Sequence, residues 1–587
     1  MRILFIIALS FLFLHGAGQG FLRAEGNAIS DGNQHEIILR GIGLGGWMLQ
    51  EPYMLGLSGS AIAQYDIRNK ITDLVGEEKT NRFYNAWLEN HCTKADIDSL
   101  ASWGFNSVRL PMHYNLFTVP VEKEPVKGKN TWLTKGFQLT DSLLSWCSKN
   151  KIYLILDLHA TPGGQGNDNA IADRDPSLPS LWESEANRNK TIALWEALAR
   201  RYKNASWVGG YDIINEPNWG FKEGESKNGC DEKENVLLLK LQQDITSAIR
   251  KIDKKHIIII EGNCWGNNYE GIKPFWDNNL VMSFHKYWNF NDKASIQKIL
   301  DYRDKFNVPV WLGETGENSN AWFTDVISLL EKNKIGWAMW PLKKLGMNNP
   351  VQVKLDENIK AVFAYWENKA PRPSAEVAYS SLMQFAYNTN IKKNIIRHDV
   401  IDAMIRQVKS QETIPFKSNV IKPGTILYAT DYDMGRAGIA YHDLDSADYW
   451  VSTKERSKWN SGGRYRNDGV DIEVCTDAIS NGYNVGWIQT GEWIQYSVFV
   501  NEDALYNINV RTASKEQESI LKLLLEGKET ATLVLPVTGG LQTWATHTIP
   551  SISLKKGWNQ LRILAGNGGF NLNYLEFISP TENARVN

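Results

Sequence analysis

Cysteine is scarce in this 587-residue chain: Cys92, Cys147, Cys230, Cys264 and Cys475 are odd in number, and no two stand at metal-ligand spacing. That excludes a cysteine-held metal centre. A disulfide stays open, but most of these thiols are expected to be free and buried. An excess of charge is also missing. Lys and Arg total 64 against 66 Asp and Glu, a formal net charge of −2, with an isoelectric point near 6.6. Nucleic-acid binders carry basic patches, so nucleic acid is excluded as a partner. Beyond the amino terminus no stretch approaches the ~20 apolar residues of a membrane span. Internal repeats and low-complexity tracts are absent.

What is present begins with Met1-Arg2, an apolar run over 3–14, and the small residues Gly16, Ala17, Gly18 and Gly20. This reads as a secretory signal over 1–20, with an uncleaved anchor as the alternative. No Cys follows the run, which argues against a lipid anchor. The chain is expected to be exported, to a periplasm, a cell surface or the medium. A hydrophobic content of 43% with 22% charged residues is that of globular protein. The length exceeds one ordinary core, so two or three domains are expected. Aromatics are plentiful, with 23 Trp and 22 Tyr. Such amphipathic rings fill cores and also suit surfaces that stack on sugars.

Apolar strand-like runs alternate with amphipathic helical segments through the first two thirds. The strands read at 39–47, 106–112, 153–159, 210–216, 256–263, 280–287, 308–314 and 336–340. Helical spacing appears at 77–89, 138–149, 187–203, 234–252 and 321–332. Eight strands alternating with helices predict an α/β fold, a (β/α)8 TIM barrel over 21–370. A break at Ala370-Pro371-Arg372-Pro373 introduces a helical connector over 371–420. From Gly424 the texture changes to short alternating strands divided by turn pairs such as Gly462-Gly463 and Gly539-Gly540. That predicts an all-β jelly-roll sandwich over 421–580.

The strand ends carry the chemistry. In order they offer Trp47, Arg109, His159, Asn215-Glu216, Asn263 with Trp265, His285 with Tyr287, Glu314, and Trp340. In a barrel these positions converge on one pocket. The segment Gly210-Tyr211-Asp212-Ile213-Ile214-Asn215-Glu216-Pro217 ends on an acid, with Pro217 biasing Glu216 toward an extended backbone. The segment Val308-Pro309-Val310-Trp311-Leu312-Gly313-Glu314 ends on a second acid. Two carboxyls across a pocket, with no cluster of metal ligands, point to glycoside hydrolysis. Glu216 suits the proton donor and Glu314 the nucleophile. Arg109 would keep Glu314 ionised and Tyr287 would hydrogen-bond it. Asn215 would hold a sugar hydroxyl, and His159 and His285 would orient acids or bind hydroxyls.

These residues resemble glycoside hydrolase family 5. The matching stretches are Val108-Arg109-Leu110-Pro111, Leu156-Asp157-Leu158-His159-Ala160, Ile214-Asn215-Glu216-Pro217, His285-Lys286-Tyr287 and Leu312-Gly313-Glu314-Thr315-Gly316, with Trp340 on the last strand. The resemblance spans about 24–370. It implies a retaining β-glycosidase without cofactor, with Glu216 as acid/base and Glu314 as nucleophile. Arg109, His159, Asn215, His285, Tyr287, Trp340, Trp47 and Asn263 are expected around the substrate. The stretch Thr161-Pro162-Gly163-Gly164-Gln165-Gly166-Asn167-Asp168-Asn169 resembles the branch near exo-acting β-1,3-glucanases. It favours a β-1,3- or β-1,6-glucan, a polysaccharide or its oligosaccharides, as substrate. A β-1,4-glucanase, mannanase, xyloglucanase or glucosidase on the same site is the alternative. A non-catalytic glycan-binding barrel is the rival from another class, and the presence of both glutamates argues against it.

The sandwich resembles carbohydrate-binding module family 6 through Gly469-Val470-Asp471-Ile472-Glu473, Tyr483-Asn484-Val485-Gly486-Trp487-Ile488, Gly491-Glu492-Trp493, Thr538-Gly539-Gly540-Leu541-Gln542-Thr543-Trp544 and Phe570-Asn571-Leu572-Asn573. The resemblance implies a sugar stacked on loop aromatics and held by an asparagine, with Tyr483, Trp544, Asn571 and Asn573 as the binding residues. Leu541 stands where members usually carry an aromatic. The stretch Leu427-Tyr428-Ala429-Thr430-Asp431 has lost most of the acids that help hold a structural calcium in members, and no metal is expected. A sandwich that only packs on the barrel is the alternative.

Overall fold

The computed structural model describes residues 20–222, 226–287, 289–444 and 459–580; the expected signal, 1–20, falls outside them except for Gly20. Eight parallel strands close into a barrel in chain order. They are β1 (Arg40–Gly43), β2 (Ser107–His113), β3 (Tyr153–Ala160), β4 (Val208–Asp212), β5 (Ile257–Glu261), β6 (Leu280–Lys286), β7 (Val310–Gly316) and β8 (Gly336–Trp340). Strands β2 to β8 are buried along their whole length, which is why they read as unbroken apolar runs. All eight lie where the sequence pattern placed them, but three end early, β5 among them at Glu261. β1 stops at Gly43, ahead of a turn in which Gly46 takes φ 82°. β4 stops at Asp212, and Glu216 takes φ 42° instead of the extended backbone expected before a proline.

The helices at 134–149, 185–202 and 236–250 cover the barrel, together with α1 (Asn320–Lys332), while the helix at 77–91 packs mainly on those at 64–75 and 375–388. Their apolar residues recur at helical spacing: Leu238, Leu241, Ile245 and Ile249 all face inward from one helix. Inside the barrel the two ends differ. At the base Leu22, just before a short hairpin, and Ile29, within its second strand, pack with Tyr153, Ile155, Ile257, Ile259 and Trp311. Higher up, the same alternation along β3, β5 and β6 brings Asp157, His159, Glu261 and His285 to the mouth. The interior is therefore dry below and charged above.

The connector holds a helix at 375–388 and α2 (His398–Ile405), which packs on α1 through a hydrogen bond from Thr324 Oγ1 to the Ala403 carbonyl, 2.9 Å. The sandwich follows. Its strands are β9 (Val420–Ile421), β10 (Thr425–Tyr428), β11 (Tyr441–His442), β12 (Ile472–Val474), β13 (Tyr483–Val485), β14 (Trp493–Val500), β15 (Ala504–Ser514), β16 (Ser519–Leu525), β17 (Lys528–Leu535), β18 (Ala545–Leu554), β19 (Gly557–Asn567) and β20 (Phe570–Ile578). One sheet runs β9-β14-β19-β16-β17 with β11 beside β14. The other runs β12-β13-β20-β15-β18 with β10 beside β20. Their inner faces share one core that includes Tyr496, Val510, Leu523 and Leu572.

The cysteines agree with the expectation and fill in the pairing left open: Cys92, Cys147 and Cys475 are free and buried, while Cys230 pairs with Cys264. The pair lies 34 positions apart, joining the loop after β4 to the segment just past β5, two strands that pair side by side.

Candidate active site

Glu314 reaches the mouth through an irregularity in its strand. Gly313 already faces inward, since a Cβ there would lie 2.2 Å from Ser283 Oγ. Strict alternation would send Glu314 outward. The β6–β7 register slips between Phe284–Leu312 and His285–Glu314, and that bulge turns Glu314 to the inner face as well. Glu216 is aimed by backbone. Its N–H donates to Glu261 Oε2 at 2.7 Å, holding a left-handed conformation that costs about 1–3 kcal/mol in a non-glycine residue.

The two carboxyls and His285 have ligand atoms within 4.8 Å of one another. His285 Nδ1 donates to Glu216 Oε1 at 2.5 Å and lies 3.5 Å from Glu314 Oε2. Below them Arg109 donates to Glu314 Oε1 (3.0 Å), Asp212 Oδ2 (2.8 Å), Glu261 Oε1 (3.0 Å) and Asn215 Oδ1 (2.7 Å).

This crowding sets the protonation states. Burial would lower the His285 pKa, but Glu261, Glu216 and Glu314 outweigh it and hold the imidazole well above its ordinary range. Burial opposes ionisation of Glu261, yet His285 and Arg109 bring its carboxyl down to about 2. Burial, reinforced by Glu261, pushes Asp212 well above the carboxylate range despite Arg109. Burial raises Glu216 against the pull of His285. Glu314 is pushed up to about 7, by burial first and then by Glu216, with His285 and Arg109 opposing. Arg109 therefore moderates the Glu314 pKa without restoring that of a free carboxylate.

Above the pair opens a cavity of about 680 Å³. Glu216, Glu314, His159, His285, Tyr287 and Trp340 all line it. His159 is stacked on Trp340, ring centroids 5.1 Å apart and 5° from parallel, and its Nδ1 bonds Asp157 Oδ2 at 2.7 Å. Four expected substrate contacts do not line the cavity. The side chain of Arg109 is fully buried beneath Glu314. Asn215 is buried between Arg109 and His159. Asn263 is spent on the Trp219 backbone and on Asn235 Oδ1. Trp47 sits in the core with Nε1 bonded to the Leu88 carbonyl, and its face turns toward a neighbouring groove.

Other wall residues escaped the sequence reading. Glu51 is a third carboxyl, raised far above its usual pKa by burial and by Glu314 and Glu317. Tyr53 accepts from Trp340 Nε1 at 2.9 Å. Lys286 is brought down to about 7 by burial; its Nζ donates to Asn289 Oδ1, Phe290 O and Asn291 Oδ1, fastening the loop beyond β6. Asp157 and Glu261 were within reach, lying one strand repeat from His159 and Asn263 on the inward face. Glu51 follows a turn and has no periodic signature.

In the sandwich, Asn571 Nδ2 donates to Glu473 Oε1 (2.6 Å) and the Leu541 carbonyl (2.7 Å). Gly486 is the neighbour of this cluster, since a Cβ there would lie 3.3 Å from Asn571 Oδ1. The next residue, Trp487, is 47% exposed. Tyr483 lies elsewhere: strand parity puts it with Val485 on the core side, against Tyr465 at 5.1 Å. Asn573 is buried and held by Asp477 Oδ2 and the Ile479 carbonyl. Trp544 is half-buried. Asp431 bonds the Lys417 ammonium and the Tyr465 hydroxyl.

Residues 68–346 match the model of cellulase (glycosyl hydrolase family 5), and 464–579 match that of carbohydrate binding module (family 6). The chain is 28% identical over 380 residues to a beta-xylosidase of Phanerodontia chrysosporium, covering 58% of this chain and 75% of that one. It is 27% identical over 231 residues to a probable glucan 1,3-beta-glucosidase A of Aspergillus niger, covering 38% of this chain and 52% of the relative. The solved rutinosidase of Aspergillus niger aligns with a TM-score of 0.42 and 17% identity, over 52% of this chain and 90% of that one. Among the described residues no helix is long and apolar enough to cross a membrane.

Proposed function

The barrel belongs to glycoside hydrolase family 5 and the carboxyl-terminal domain is a family 6 carbohydrate-binding module; from that premise we propose that this enzyme is a retaining β-glycosidase. The observation that carries the reading is that Glu216 and Glu314 face each other across the mouth, one carboxylate oxygen of each lying within 4.8 Å of the other. Retaining enzymes hold their carboxyl groups about 5–5.5 Å apart, whereas inverting ones need about 6.5–9.5 Å to admit a water. Glu314 attacks the anomeric carbon while Glu216 protonates the departing oxygen. Glu216, now a carboxylate, then deprotonates the water that releases the sugar with its configuration kept. His285 occupies Glu216 Oε1, so the transferable proton sits on Oε2. A neutral Glu51 adds a hydroxyl donor to the sugar-binding wall.

The substrate we favour is a β-1,3- or β-1,6-glucan. The loop at 161–169 and the similarity to the glucan 1,3-beta-glucosidase support it. The similarity to the beta-xylosidase favours a second reading, removal of single sugars from a xylan-type chain on the same site. The first 20 residues support export. The test is reducing-sugar release by wild type and Glu314→Ala on β-1,3-, β-1,6-, β-1,4- and mixed-linkage glucans, mannan and xylan. Release from a β-1,3- or β-1,6-glucan, abolished in the variant, supports the reading. Release from xylan alone favours the second, and release that survives in the variant overturns the role of Glu314.

A further inference from the structure

The sandwich does not hang on a free linker: its loop at 465–468 is wedged against the turn that follows Glu314. β7 ends at Gly316. Glu317 then takes φ 54° and lines the cavity, its carboxyl bonded by Lys344 Nζ at 2.5 Å. Asn318, Ser319 and Asn320 lead into α1, all three buried. Asn467 reaches them from the other domain. Its Nδ2 donates to the Asn318 carbonyl (2.9 Å) and to Asn320 Oδ1 (3.0 Å), and its own carbonyl accepts from the Asn320 N–H (3.0 Å).

The contact is braced on both sides. Asn320 Nδ2 donates to Asp468 Oδ1 at 2.8 Å, and Asp399 Oδ2 on α2 accepts the Asn467 N–H at 2.9 Å. Arg466 lies between the rings of Phe416 and Tyr432, 4.1 Å from each centroid, and bonds Asp468 Oδ2 at 2.7 Å. Asp399, Arg466, Asn467 and Asp468 are all buried. A buried polar group left unpaired costs about 1–3 kcal/mol, so a network of this extent holds its three segments in a single register. A module serving only to tether the barrel to a polymer has no need of such a joint.

We propose that the sandwich is a structural part of the catalytic site. Through Asn467 it fixes the turn at 317–320, and with it Glu317 on the cavity wall and the end of the strand that carries Glu314. Asn467 is a positioning residue, an assignment that rests on the reading of Glu314 as nucleophile. Its consequence is that hydrolysis of a small soluble substrate depends on the sandwich, even with no polymer for the module to grip.

The test uses the full-length chain with Asn467→Ala and the milder Asn467→Ser, which keeps a polar side chain; both leave the backbone contacts of residue 467 in place and remove the Nδ2 bonds. Steady-state kinetics on a nitrophenyl β-glycoside are measured well below the unfolding temperature, alongside hydrogen–deuterium exchange of peptides spanning 310–325. The expected kcat falls about tenfold or more, since small displacements of reacting groups carry large rate costs. Exchange at 317–320 is expected to quicken about tenfold, as local opening would require. In the double variant with Asn320→Ala the losses are expected not to add, because the two residues share one contact. Unchanged kcat with unchanged exchange at 317–320, whatever happens to the melting temperature, would overturn the proposal. A wild type inactive on aryl β-glycosides would count against the glycosidase reading instead, and exchange at 317–320 would still decide the role of Asn467.

Discussion

Arg109 Nη1 donates to Glu314 Oε1 at 3.0 Å while Nη2 of the same guanidinium holds Asp212, Glu261 and Asn215. A single planar cation thus fastens the ends of β4, β5 and β7 and fixes the rotamer of the proposed nucleophile. Lys, a point charge without the fork, could not meet those partners together.

Replacing Arg109 with Met leaves several buried carboxyls facing each other. The expected cost is about 3–5 kcal/mol of unfolding free energy, that of breaking a buried pair from one side. Denaturant titration measures it. Arg109→Lys is expected to recover part of the stability and little of the activity.

The raised pKa of Glu314 has a sign that can be followed in two ways. A nucleophile must be anionic, so kcat/KM is expected to climb with pH through about 7 as Glu314 ionises. For stability, the folded state holds a proton that the unfolded carboxyl has released between about 4.5 and 7. That contribution is present in full below the unfolded value and disappears as pH rises through the folded one. Glu314→Gln is therefore expected to be more stable than wild type at pH 8 and to lose that advantage near pH 4, as thermal unfolding across pH would show.

Glu216→Ala removes the proton donor but not the nucleophile. Hydrolysis of unactivated glycosides is expected to drop by about 10²–10⁴-fold, the usual share of acid–base catalysis. Aryl glycosides whose leaving groups need no proton should lose far less in the glycosylation step. An equal loss on both substrates in pre-steady-state kinetics would speak against this role.

In the module, Trp487→Ala is expected to weaken polysaccharide binding about tenfold, since stacking on an exposed ring is worth about 1–3 kcal/mol by analogy with base stacking. Its melting temperature should barely move. Tyr483→Ala should lower the melting temperature instead, because that ring packs on the sandwich core. Affinity electrophoresis and calorimetry separate the two.

The barrel was legible because strands buried on both faces spell unbroken apolar runs, and each of the eight could be read from them. Glu216 and Glu314 were legible as acids closing such runs. Depth was not. Arg109, Asn215 and Asn263 all approach the mouth, yet each is consumed by neighbours that only the closed barrel supplies. The Cys230–Cys264 pair depends on the side-by-side pairing of β4 and β5, which the sequence does not state. Tyr483 and Trp487 lie four residues apart in one motif and share a strand parity, but the strand ends at Val485 and Trp487 takes φ 50° beyond it, a departure that no alternation announces. Glu51 sits on a loop, where no period operates.

The most direct test of double displacement is the anomeric form of the first sugar released, followed by proton NMR before mutarotation. The expected product keeps the β configuration of the substrate, formed through a covalent intermediate on Glu314. An α product would mean that water attacks directly, and Glu314 would then not be a nucleophile.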